Sequence, residues 1–194
     1  MAIVIGAIWG GTAFADGALP GMQILGPAKA PIGYIGFCQE HPGDCLHNTK
    51  APVRVVLTGT SFDALVQVDR DVNHRIKPAT DMEVYGVEEK WEYPVDRGDC
   101  EDYALLKRRD LLEAGWPRSA LLMTVVRDEN GDGHAVLTVV TDQGDFILDN
   151  RTNDVLPWQS TPYQYVKRQS QYDQQAWVYV GGGRDIGVGV ATAK

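Results

Sequence analysis

The chain has 194 residues, 44% of them hydrophobic and 23% charged. That is ordinary globular composition, enough for one core and one domain. A formal net charge of -8 and a pI near 4.9 disfavour nucleic acid and anionic membranes as main partners.

The N-terminus is an apolar run, Met1 to Trp9, that leads to the small-x-small site Ala13-Phe14-Ala15. Residues 1–15 therefore read as a secretory signal cut before Asp16, although the usual basic n-region is missing. The alternative is a buried strand or helix at a domain edge. The run is too short to span a membrane. Residues 16–180 are expected to form a single domain, and the Gly-rich residues 181–194 a disordered tail. Residues 16 to about 35, rich in Gly, Pro and Ala, read as an extended arm.

Cys38 and Cys45 bracket a turn-rich loop. In an exported chain such a pair reads as a disulfide. Two free thiols, or a metal site with His41 and His47, are the alternatives, the latter with poor zinc spacing. A helix is expected from a Ser61 cap through Ile76, with Asp69 an anomaly on its apolar stripe. Residues 77 to 97 read as a long loop anchored by Trp91 and Tyr93, and loops of that length are often functional.

Asp99 is placed to cap a helix running to about Ala114, stopped by Gly115-Trp116-Pro117. Strands are expected over Ala120 to Arg127, Ala135 to Thr141 and Asp145 to Asp149. Residues 128–133 match the opening of an EF-hand loop. Val139 stands at its last ligand position and a strand follows, so a polar hairpin turn fits better. The aromatic-rich stretch 155–180 reads as cover for the sheet edge. The layout is α+β, with a helix packed on an antiparallel meander.

Cys100 lies at the expected helix start, where the dipole and unpaired N–H groups favour a thiolate. If Cys38 and Cys45 are bridged, it is the odd cysteine, a liability in an oxidising compartment unless buried or used. His134 begins one strand and Asp149 ends the next, so a tight turn can set them side by side. A thiol, an imidazole and a carboxylate are the parts of a cysteine nucleophile, its base, and the group that orients the base. Alone, His134 also fits a surface residue and Asp149 a turn residue. The acids Asp99, Glu101 and Asp102 fit a hard cation such as calcium, or simply the cap and dipole of the helix. The Cys100 backbone N–H is a candidate oxyanion donor.

Gly-Asp-Cys-Glu-Asp-Tyr-Ala at 98–104, Gly-His-Ala-Val-Leu at 133–137 and Leu-Asp-Asn at 148–150 resemble the bacterial transglutaminase-like cysteine proteinases. The resemblance implies a papain-like, transglutaminase-type fold with Cys100, His134 and Asp149 as the triad. It implies calcium bound by Asp99, Glu101 and Asp102, and a periplasmic location. It further implies a protein substrate, in the best-known members a surface adhesin whose release disperses biofilm. An inner-membrane receptor for cyclic-di-GMP sequesters those members. Two alternatives stand beside this reading: transglutaminase or amidase-type acyl transfer, and a non-enzymatic, calcium-stabilised binding module.

Overall fold

The computed structural model describes residues 21–181, so the expected signal and almost all of the tail lie outside the described residues. In chain order the elements are β1 (Gln23–Ala28), α1 (Ile32–Glu40), α2 (Gly59–Arg75), β2 (Lys77–Pro78), α3 (Asp81–Val84), β3 (Arg97–Gly98) and α4 (Cys100–Glu113). The second half carries β4 (Leu121–Arg127), β5 (Gly133–Thr141), β6 (Gly144–Leu148), β7 (Leu156–Pro157), β8 (Gln164–Gln169) and β9 (Trp177–Gly181). Seven strands form one sheet in the order β1-β9-β8-β4-β5-β6-β7, and every neighbouring pair is antiparallel. Among the described residues no helix is long and apolar enough to cross a membrane.

The central strands are apolar almost without interruption because both sheet faces are covered. Leu121, Met123, Leu137 and Val139 pack with Leu105 and Leu111 of α4. Val126, Val136 and Ile147 pack with Trp158 and Tyr165 on another cluster. Helix α2 closes the far side of α4 through Val72, Ile76, Tyr103 and Leu106. The Tyr103 hydroxyl donates to the Ile76 carbonyl at 2.6 Å. The helix carrying Cys100 is thus clamped between sheet and α2.

Several expectations change. The supposed extended arm supplies β1, which pairs with β9 across an irregularity between Ile24 and Gly26. Gly26 takes φ +143, a value L side chains rarely adopt, which explains glycine there. Most of the aromatic stretch 155–180 joins the sheet instead of covering its edge: β8 and β9 lie inside it, and only β7 runs along an edge, beside β6. Residues 77–97 are not one loop, since they hold β2, α3 and the start of β3. The short parallel pair β2–β3 matches Lys77 with Arg97 and Pro78 with Gly98, which fixes the chain entering Cys100. Cys38 and Cys45 are bridged. Residues 128–133 form a turn in which Asp128 Oδ1 accepts from the amides of Asn130 and Asp132.

The α2 start also moves. Thr58 is the N-cap, and Ser61 is the third helical residue that answers it in a capping box. Thr58→Ala is expected to cost about 1 kcal/mol and so lower the melting temperature by about 2–4 °C. An unchanged melting curve contradicts that role.

Candidate active site

Gly98 enters the site first. A Cβ there would stand 2.8 Å from Asp102 Cβ, closer than two carbons can pack, so the residue before Asp99 and Cys100 has no side chain. Cys100 is the first residue of α4. Its Sγ donates to Glu101 Oε2 at 3.1 Å and accepts from the Ala135 N–H at 3.4 Å. The sulfur therefore bridges the helix start to β5, beside His134.

His134 is 3% exposed. In the β5–β6 register Leu137 lies opposite Leu148. Asp149 is therefore level with Val136, one diagonal step from His134, within reach of side-chain contact. His134 Nε2 and Asp149 Oδ1 are 2.9 Å apart. A carboxylate only accepts, so Nε2 carries the proton and donates. Nδ1 is left buried without a hydrogen-bond partner. Tyr163 donates to the other oxygen, Asp149 Oδ2, and its ring lies 5.3 Å from the imidazole. Burial raises Asp149, but the hydrogen bonds from His134 and Tyr163 outweigh it and hold the carboxyl below its ordinary range. Burial and the neighbouring Asp149 push the Tyr163 hydroxyl up, so it stays a donor.

The acids around Cys100 form a larger set than the sequence suggests. Carboxylate oxygens of Asp81, Asp99 and Glu101 lie within 4.8 Å of one another. Asp102 is fully buried; its Oδ1 accepts from the Glu92 N–H at 3.0 Å. Asp81 accepts from the Lys90 N–H. Asp81 Oδ1, Asp99 Oδ1 and Asp102 Oδ2 are buried and receive no donor. Asp99 occupies the N-cap position, yet its side chain makes no capping hydrogen bond. Burial, reinforced by the neighbouring acids, pushes Glu101 up to about 9 and Asp102 up to about 8 and raises Asp99; burial alone raises Asp81, against the pull of Lys90. An all-oxygen set of this kind, with orphaned buried oxygens, suits a hard divalent cation.

These acids reverse one expectation. The helix start was expected to favour a thiolate at Cys100. Burial, and then the charge and hydrogen bond of Glu101, push the thiol well above its ordinary value instead. The structure brings Cys100, His134 and Asp149 to one locus, and gathers Asp99, Glu101 and Asp102 beside Cys100. It adds Asp81 and Tyr163, which no motif marked. A cavity of about 300 Å³ opens beside Asp149, lined among others by Arg151, Leu156 and Tyr163. Cys100 and His134 do not line it.

The model of the bacterial transglutaminase-like cysteine proteinases, BTLCP, matches residues 24–185. The chain belongs to that family. It is a cysteine peptidase with the family's mixed helix and antiparallel-sheet architecture. Among solved structures it is similar to calcium-bound LapG of Legionella pneumophila, with 23% identity and a TM-score of 0.50. That match covers 62% of this chain and 71% of the other and supports the fold. LapG of the same organism, also in EGTA-treated form, aligns at 26% identity and a TM-score of 0.46, over 54% of this chain and 60% of the other. No curated protein matches the chain.

An acid whose folded pKa is raised contributes stability below its unfolded pKa and loses it as pH rises through the folded one. Cation-free protein is therefore expected to melt at lower temperature as pH climbs from about 4 through the values near 8 and 9 of Asp102 and Glu101. Added calcium should raise the melting temperature more at about pH 8 than at about pH 5. An equal gain at both contradicts the cluster's role.

Proposed function

We propose that this peptidase is a periplasmic, calcium-dependent cysteine endopeptidase that works through Cys100, His134 and Asp149. The observation that carries the reading is the convergence at the head of α4. Cys100 Sγ touches the Ala135 amide beside His134, and His134 is held through Nε2 by Asp149.

With Nε2–H given to Asp149, Nδ1 is the nitrogen able to take the thiol proton. Sγ then attacks the peptide carbonyl carbon, and the carbonyl electron pair moves to oxygen. Cys100 N–H, at the first helical position, has no intrahelical acceptor and suits that oxyanion. His134 returns the proton to the leaving amine as the C–N bond breaks, which leaves a thioester on Cys100. A water, deprotonated by His134, cleaves the thioester and restores the thiol. Asp149 holds the ring orientation and offsets the imidazolium charge.

Asp81, Asp99, Glu101 and Asp102 are the residues that would hold calcium. Bound there, it supplies positive charge to carboxylates that otherwise keep the thiol protonated, and it orders the helix start. The calcium-bound form of the related LapG supports this assignment. The signal-like N-terminal run and the Cys38–Cys45 bridge support export to an oxidising compartment. The substrate is then another exported protein, with a cell-surface adhesin as the target the family resemblance implies, and an inner-membrane receptor as regulator.

Cys100→Ala is expected to reduce cleavage of the cell's exported proteins by at least roughly 10⁴-fold and leave the melting curve in place. Mass spectrometry of the new N-termini reads the loss; surviving cleavage sinks the assignment. Tyr163→Phe removes a hydrogen bond to a charged group worth about 1.5–3 kcal/mol. Its kcat should fall by roughly tenfold or more, and an unchanged kcat contradicts its hold on Asp149.

A further inference from the structure

Asp69 and Lys107 are each fully buried and joined at 2.6 Å, Lys107 Nζ to Asp69 Oδ1. They take no direct part in the proposed reaction. Burying two charges costs several kcal/mol per ion, and apolar side chains of similar volume often serve stability as well. The pair therefore calls for a reason other than stability.

Its surroundings supply one. The same Asp69 Oδ1 accepts from the Asp149 N–H at 3.1 Å. One turn along α2, Asn73 Nδ2 donates to the Asp149 carbonyl at 2.9 Å and to the Thr152 carbonyl at 2.9 Å. Residues four apart share a helix face, so one face of α2 holds both backbone groups of Asp149. Lys107 lies on α4, the helix that begins at Cys100. Its ammonium faces Asp69, with Asp149 contributing to its surroundings.

We propose that Asp69 and Asn73 are positioning residues that clamp the Asp149 backbone to α2, with Lys107 as the charge partner of the buried Asp69. The inference rests on the triad reading above. The clamp fixes where the Asp149 carboxylate stands. It thereby fixes His134 relative to the sulfur, where a misplacement of about 1 Å can cost about 10²-fold in rate.

The test reads the His134 Nε2–H proton by NMR as a downfield signal absent from His134→Ala. Asp69→Leu with Lys107→Met removes the acceptor and leaves no lone charge. Asp69→Asn with Lys107→Met keeps an acceptor for the Asp149 N–H. Loss of the signal in the folded Leu/Met variant, with retention in the Asn/Met variant, supports the clamp. Retention in the Leu/Met variant, or loss in both, overturns it. Should the Leu/Met variant not fold, Asn73→Ala decides: a lost signal supports the clamp and an unchanged one overturns it. A wild-type protein without the signal overturns the His134–Asp149 pair itself, and the clamp with it.

Discussion

Four carboxylates crowded at the head of one helix, three of them buried and Asp99 half-buried, cannot all ionise beside one another without a cation. That constraint governs the site. Asp81 comes from a four-residue helix, while Asp99, Glu101 and Asp102 surround Cys100 within one turn. Their backbone donors, Lys90 N–H and Glu92 N–H, belong to the segment before β3. The acids therefore order that segment as well as the helix start. They also set the thiol's chemistry, since Glu101 accepts a hydrogen bond from the Cys100 thiol. A helix dipole alone favours a thiolate; two adjacent acids in a buried setting reverse the sign.

The second requirement is rigidity on the His134 side. Asp149 is held by His134 and Tyr163 at its carboxylate, by Asp69 at its N–H and by Asn73 at its carbonyl. The Arg151 N–H also reaches Asp149 Oδ1 at 3.1 Å. Further out, Arg151 bridges to Asp128 in the β4–β5 turn at 2.8 Å. That turn leads directly into His134. The flank of the site is built from strand register and side-chain ties, and α4 is packed against it.

The central meander was legible from sequence because its periodicity is strong and its turns carry Asp, Asn and Gly. Its strand limits moved by one or two residues. The Gly98–Ala104 motif was legible through its cysteine at a helix start and its family resemblance, while the reason for its glycine, room for the Asp102 side chain, shows only in the structure. Asp81 was not, because its helix is too short to leave a period and sits in what reads as loop. Strand β1 was hidden by Gly and Pro at an edge position, and β8 by aromatic residues that fit either a cover or a strand. Asp69 did leave a trace, as a charge on the apolar face of α2 beside Leu65 and Val72. The sequence had no means of naming Lys107, thirty-eight residues on, as its partner.

The central claim is that Cys100 and His134 act as a pair once the acids beside them are neutralised. The most direct measurement is the rate of Cys100 alkylation by iodoacetamide against pH, with calcium and with chelator, in wild type and His134→Ala. The account predicts that with calcium the thiol reacts well below the free-cysteine pKa of about 8.5. It predicts that this reactivity is lost in His134→Ala and in chelator. A profile indifferent to both calcium and His134 would contradict it.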